Sequence, residues 1–162
     1  MRKFIPILGL VLTILWMLLI FYFSSKTSNE VDAEKIGLLR FVVNIFHGDK
    51  FNTYSELKKQ QILNDYSFYL SKTAHFIEYG ILCFFCYLML IHLKKYRINY
   101  IISLVICIFY AISDEYHQTF SSGRTPRVED VIIDSIGALT MLVIIELIMT
   151  IVFIVKVGKK HD

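Results

Sequence analysis

Residues 4–23 read FIPILGLVLTILWMLLIFYF, a run of 20 residues without a charged side chain. An α-helix needs about 20 residues to cross the hydrocarbon core of a bilayer. The run therefore predicts a transmembrane helix. A cleaved signal peptide is the alternative, but its apolar core usually has only about 7–15 residues. We therefore expect this helix to be retained.

Three further apolar blocks follow, at about residues 74–93, 99–116 and 131–155. Hydrophobic residues make up 56% of the 162 residues, whereas soluble domains are about half apolar. The expected fold class is all-α, a polytopic membrane protein with four transmembrane helices in a single domain over residues 1–162. The net charge of +3 is small and the basic residues are scattered, so we expect no nucleic-acid partner.

The one sizeable polar segment covers about residues 26–70. Over residues 36–46, apolar side chains recur at helical spacing, which predicts an amphipathic helix. This helix could lie on the membrane surface or pack on the protein's own core, and the sequence favours neither. Thr53 and Glu56 have the spacing of a capping box, which predicts the start of a second short helix. Asp65 is a candidate cap for the next helix.

Lys and Arg residues near the ends of the blocks indicate the topology. Residues 1–3, residues 92–98 and the C-terminal tail are short and basic, whereas residues 24–73 also carry acids. We therefore expect both termini on the cytoplasmic side and the polar segment on the extracytoplasmic side.

The predicted outer ends of helices two, three and four all carry polar or ionisable side chains. They are Lys72, His75 and Glu78, then Asp114, Glu115, His117 and Gln118, then Asp130 and Asp134. At 3.6 residues per turn, most members of each set share one helix face.

These side chains are expected to form two layers. His75 should lie level with His117 across the antiparallel helices two and three, and Asp130 should lie near this layer. The deeper layer is expected to hold one carboxylate from each helix, namely Glu78, Asp114 and Asp134.

A charged side chain in hydrocarbon costs at least about 2.5–3.5 kcal/mol, so these groups must face one another or a polar pocket. The candidate acid/base groups are Asp114, His117, His75 and Glu78. The candidate substrate-binding residues are Lys72, Gln118, Glu115, Asp130, Asp134 and Arg124, whose guanidinium fork matches phosphate or carboxylate. A purely structural salt-bridge cluster is the alternative. His75 and His117 are also candidate metal ligands, although no specific metal motif is present.

Two other features have no assigned role. Cys83, Cys86 and Cys107 lie inside apolar blocks, where we expect them to act as small packing residues. Glu146 stands alone in the deeper half of helix four, within reach of Lys94 or Arg97.

The polar residues also form an ordered pattern. It runs Phe23-Ser24-Ser25, Lys72-x-x-His75-x-x-x-Tyr79, Asp114-Glu115-Tyr116-His117-Gln118-x-Phe120-x-x-Gly123-Arg124, then Asp130-Val131, Asp134 and Gly137. In this pattern the chain resembles the VanZ-like family of bacterial membrane proteins over nearly its whole length. Lys26 stands where that family commonly has a glutamine, and a second small residue after Gly137 is not evident.

The resemblance implies a cell-envelope protein of the bacterial cytoplasmic membrane that lowers susceptibility to lipophilic glycopeptides such as teicoplanin. The residues leave two other functions open: an intramembrane enzyme acting on a lipid-linked phosphate or acyl substrate, and a proton-coupled transporter. The expected partners are membrane lipids or lipid-linked envelope intermediates. The sequence leaves the oligomeric state open and indicates no particular cofactor.

Overall fold

The computed structural model describes residues 4–93, 96–123 and 125–158, and this part of the chain is all-α, as predicted. Arg124 and Lys94 lie outside the described residues. The helices are α1 (Phe4–Ser24), α2 (Ser28–His47), α3 (Lys50–Thr53), α4 (Glu56–Leu90), α5 (Tyr96–Gln118) and α6 (Val128–Gly158). A 3₁₀ turn, Ile91–Leu93, follows α4.

Four helices in the described part are long and apolar enough to cross a membrane, which confirms the predicted number. They are α1, α4 with its 3₁₀ turn, α5 and α6. Large apolar side chains cover their outer surfaces; Leu15, Phe109 and Phe153 are each more than half exposed. An apolar surface of this extent is what a bilayer would cover.

α4 is longer than the predicted second span. Its 35 residues extend about 52 Å at 1.5 Å per residue, well beyond the thickness of the hydrocarbon core. The helix starts at Glu56 after Ser55, and Asp65 lies in its interior, so the predicted separate helices were wrong. The hydroxyl of Thr53 donates to the carbonyl of Lys50 and does not cap α4. Residues 56–79 contain neither proline nor glycine, so nothing interrupts the helix.

α2 packs against the part of α4 that precedes its apolar segment. Leu39 and Val43 are buried, and the ammonium of Lys35 donates to the hydroxyl of Ser71 at 2.5 Å. One face of the amphipathic helix is therefore covered by the protein itself. Phe41, on another face, is 63% exposed.

Two hydrogen bonds join α1 to other helices of the bundle. The indole nitrogen of Trp16 donates to the carbonyl of Glu78 at 2.9 Å, and the hydroxyl of Tyr110 donates to the carbonyl of Met17 at 2.5 Å. Near the end of α1, the hydroxyl of Ser121 donates to the carbonyl of Ser24. The end of the bundle at which α1 and α5 end and α6 begins is called the site end below.

The register between α4 and α6 is set where their backbones touch. A Cβ atom at Gly137 would lie 2.2 Å from the carbonyl oxygen of Phe76, and one at Gly80 would lie 3.4 Å from the carbonyl oxygen of Gly137. Only glycine permits such a close approach. Gly137 is therefore level with Phe76 along the bundle. Asp134 and Asp130 precede Gly137 on α6, so they lie nearer to the site end than Phe76 does.

Candidate functional site

A cavity of about 510 Å³ opens at the site end between α1, α2, α4, α5 and the segment before α6. Of the predicted site residues, it is lined by Lys72, His75, Glu78, Asp114, Gln118 and Asp130. Lys35 and Arg127 add two further cations. The apolar part of the wall consists of Ile20, Phe23, Val31, Leu38, Leu70 and Ala74. The cavity is therefore amphiphilic and carries charges of both signs.

The two acids of α6 pair with successive turns of α4. The ammonium of Lys72 forms an ion pair with the carboxylate of Asp130, and these side chains are 15% and 12% exposed. One turn deeper, Nδ1 of His75 lies 3.3 Å from Oδ1 of Asp134. Helical periodicity predicts Asp130 level with His75 and Asp134 level with Glu78, and this prediction is wrong by one turn. The contact at Gly137 causes the shift, because it holds α6 closer to the site end.

The pairing with Asp134 defines the chemistry of His75. A carboxylate beside Nδ1 favours the tautomer that carries its hydrogen there, which leaves Nε2 as the basic atom. The Asp134 side chain is 2% exposed, whereas His75 lines the cavity. The arrangement therefore presents an oriented imidazole that can accept a proton from a bound molecule.

Asp114 is buried at the cavity wall. Its Oδ2 accepts a hydrogen bond of 3.3 Å from the side-chain amide of Gln118, and the hydroxyl of Ser24 lies beside the carboxyl group. Its Oδ1 is buried and meets no hydrogen-bond partner among the described residues. A buried polar atom of this kind costs free energy until a ligand, water or proton satisfies it.

Glu115 is engaged with the backbone. Its Oε1 accepts a 2.5 Å hydrogen bond from the backbone N–H of Arg127, the residue directly before α6. A carboxylate at this place also interacts favourably with the positive end of the helix dipole. Glu115 thus ties the end of α5 to the start of α6, and it is not among the residues that line the cavity.

His117 does not join His75 in the cavity wall. Its ring packs against the ring of Phe21 at an angle of 35°, with 4.2 Å between the centroids. Within the described ranges, no three His, Cys, Asp or Glu side chains are placed to hold one metal ion, so the two-histidine metal arrangement is not formed there. Arg124, the predicted anion-binding residue, lies outside the described residues.

Lys35 is a cavity residue that the sequence analysis missed. It was assigned to the polar segment, apart from the site. A usable signal was present, because residues 25–27 alone separate α1 from α2. So short a connection forces the start of α2 to lie beside the site end, and Val31 and Lys35 then reach the cavity.

The family model described as VanZ/LLP1 matches residues 9–150. This range contains every predicted site residue, from Lys72 to Asp134. No match was found among curated proteins or among solved structures.

The ion pair between Lys72 and Asp130 gives a stability prediction. Replacing Lys72 by Met leaves a largely buried carboxylate without its counter-charge, and breaking such a pair costs about 3–5 kcal/mol. We expect Lys72→Met to lower the melting temperature in detergent, and Lys72→Met with Asp130→Asn to recover most of the loss.

The matched control is Lys59→Met, because the partner of Lys59, Glu56, is 82% exposed. A surface pair contributes only about 0–1 kcal/mol, so this melting temperature should hardly move. A double variant no more stable than Lys72→Met alone would contradict the prediction.

Proposed function

This chain belongs to the VanZ/LLP1 family, and on that premise we propose that it is a bacterial cell-envelope membrane protein that lowers susceptibility to lipophilic glycopeptides such as teicoplanin. It does so by holding the headgroup of a membrane lipid or lipid-linked envelope intermediate in the cavity at the site end. The observation that carries this proposal is the amphiphilic lining of the cavity.

The lining supports a headgroup ligand in three respects. The volume of about 510 Å³ falls in the range of small-molecule sites. Lys35 and Arg127 offer charged donors to a phosphate or carboxylate, while Glu78 and Asp114 offer acceptors to hydroxyl or amine groups. The apolar wall formed by α1 and α2 suits the first part of a lipid chain.

The proposal places the site end on the outer face of the cytoplasmic membrane, with both termini inside. The short basic segments at the opposite end of the bundle support this orientation. Glycopeptides act outside the cell on envelope intermediates. A cavity that faces outward can therefore alter the lipids or lipid-linked molecules that the antibiotic meets.

The proposal predicts a resistance phenotype that depends on Asp114. Expression in a susceptible bacterium should raise the minimum inhibitory concentration of teicoplanin more than that of a glycopeptide without an acyl chain. Asp114→Asn removes the buried charge at nearly constant shape and should abolish the increase. The measurements are the inhibitory concentrations and the amount of protein in the membrane.

Asp65→Asn is the control, because Asp65 is an exposed acid on α4 outside the cavity. It should behave as the unmodified protein does. If Asp114→Asn preserves the full increase at equal membrane levels, the cavity is not the basis of the phenotype.

A second candidate function is acid–base catalysis on a lipid-linked phosphate or acyl substrate. The pairing of His75 with Asp134 beside the unsatisfied Oδ1 of Asp114 favours it. In such a reaction, Nε2 of His75 accepts a proton of a water molecule as the water oxygen attacks the phosphorus or acyl carbon. The P–O or acyl C–O bond to the leaving group then breaks, and His75 returns the proton to the leaving oxygen. Lys35 and Arg127 stabilise the negative charge that develops on the reacting group.

This candidate is tested with purified protein and two probes, a polyprenyl diphosphate and phosphatidylglycerol. Release of phosphate or of fatty acid identifies the reaction, and His75→Gln should lower its rate by about 10²–10⁴-fold, the usual contribution of a general base. His92→Gln replaces an exposed histidine that bonds to the carbonyl of Met89 and should leave the rate unchanged. Absence of both products with the unmodified protein would leave binding as the function.

A further inference from the structure

A buried face of α5 carries polar side chains toward both of its ends, with Cys107 and Ala111 between them. Its members are Asn99, Ser103, Cys107, Asp114 and Gln118, spaced by four or seven residues, and each is at most 4% exposed. Such spacing keeps side chains on one side of a helix. Small and polar residues are common where helices pack inside a membrane bundle, because their polar side chains hydrogen-bond to neighbouring helices. The partners that these side chains find therefore decide what they do.

Two pairs of tyrosines from α4 and α5 mark the ends of this buried region. The rings of Tyr79 and Tyr110 lie 6.3 Å apart, and those of Tyr87 and Tyr100 lie 5.2 Å apart. Tyr79 and Tyr87 are eight residues apart on α4, so the pairs are separated by about 12 Å along the bundle.

Three thiols and a serine hydroxyl lie between the tyrosine pairs, beside the apolar side chains of Leu82 and Leu104. The thiol of Cys107 lies against those of Cys83 and Cys86, and Thr13 of α1 faces Cys86. All three cysteines are free and buried. No ionisable carboxylate or amine of the described residues takes part in this middle section.

Each tyrosine pair adjoins a cavity. Tyr79 interacts with Asp114 and Asp134 at the site end, where Asp114 lines the first cavity. At the other end, a second cavity of about 520 Å³ between α5 and α6 is lined by Tyr100 and Glu146, and these two side chains are hydrogen-bonded. The buried polar side chains therefore connect two cavities at opposite ends of the bundle.

Ser103 differs in its hydrogen bonding from other serine and threonine residues of the helices. The hydroxyls of Thr13, Ser71 and Ser135 donate to the backbone carbonyl four residues earlier, at 2.7–2.9 Å. The hydroxyl of Ser103 is fully buried and meets no hydrogen-bond partner in the described part of the chain. The hydroxyl of Tyr79 and the side-chain carbonyl of Asn99 are in the same situation there.

Buried polar groups are almost always hydrogen-bonded, to protein or to ordered water. The thiols bond to one another and to Thr13, as side chains that join helices do, whereas the three unsatisfied atoms named above do not. The unsatisfied atoms of Tyr79 and Ser103, and that of Asn99 one turn from Ser103, indicate that water molecules lie between α4 and α5. A line of these and neighbouring polar side chains runs from the site end through Tyr79, Cys83, Cys107, Ser103, Tyr100 and Glu146, and we call it the polar file.

We propose that the polar file is a hydrated path that carries protons between the second cavity and the His75–Asp134 pair at the site end. A proton that binds the carboxylate of Glu146 is passed along hydroxyls and water, each accepting one hydrogen and donating another. One proton then leaves at the site end, so charge is conserved along the path. Thiols are weak hydrogen-bonding groups, so the section at Cys107 is the slowest step.

This inference goes beyond the proposed function and does not rest on it. It connects the site-end cavity to the proton gradient across the membrane. Binding or reaction at His75 would then respond to the proton supply from the opposite side.

The test uses the full chain in phosphatidylglycerol–phosphatidylethanolamine vesicles that contain a pH-sensitive dye. A potassium diffusion potential drives protons inward, and the rate of internal acidification is measured. The protein should acidify vesicles faster than protein-free vesicles do. Ser103→Ala should lower the added rate about fivefold, as expected from the loss of one hydrogen bond.

Cys107→Ser places a stronger hydrogen-bonding group at the slow step and should raise the added rate. Ser113→Ala is the matched control, because Ser113 lies on the same helix but is exposed and bonded to the carbonyl of Tyr110. The proposal is overturned if the unmodified protein adds no proton flux. It is equally overturned if, with each variant eluting as a folded protein, Ser103→Ala and Cys107→Ser both conduct at the unmodified rate.

Discussion

The contact between Gly137 and the carbonyl of Phe76 determines where every ionisable side chain of α6 lies. A larger residue at 137 would push α6 away from α4, and the acids toward the site end would lose their partners. Because this contact aligns the two helices, Asp130 meets Lys72 and Asp134 meets His75. A backbone packing contact without any charged group thus sets the electrostatics of the site.

Because the low dielectric of the bundle makes an unpaired charge costly, the acids of the bundle fall into two groups. Those with a charged or backbone partner close by, such as Asp130 and Glu115, hold helices together, since a buried charge without a partner is expensive. Asp114 is satisfied on only one oxygen by the described residues. Asp114 also lines the cavity, and this difference underlies both candidate functions.

The membrane spans and most cavity residues were predictable from the sequence, because hydrocarbon imposes a fixed length and forces polar groups to gather. The vertical offset between α4 and α6 was not predictable. Helical periodicity identifies a face, but it contains no information on how far one helix slides along another. Gly137 was noted as part of a stripe, yet its partner Phe76 is an ordinary apolar residue in the sequence.

Two other features were not predicted from the sequence, for different reasons. α4 continues from Glu56 without a break. Thr53 and Asp65 had suggested helix starts, but capping patterns also occur in sequences where no helix begins. Lys35 reaches the cavity because the short connection after α1 starts α2 beside the site end, and the sequence prediction did not use that connection.

The register of α6 on α4 is tested most directly by thiol cross-linking in membranes. In a chain with Cys83, Cys86 and Cys107 replaced by Ala, a short bifunctional thiol reagent should join His75→Cys to Asp134→Cys. The same reagent should join Glu78→Cys to Asp134→Cys poorly, although that pair lies level in the register expected from periodicity alone. Efficient cross-linking of the second pair without the first would contradict the account.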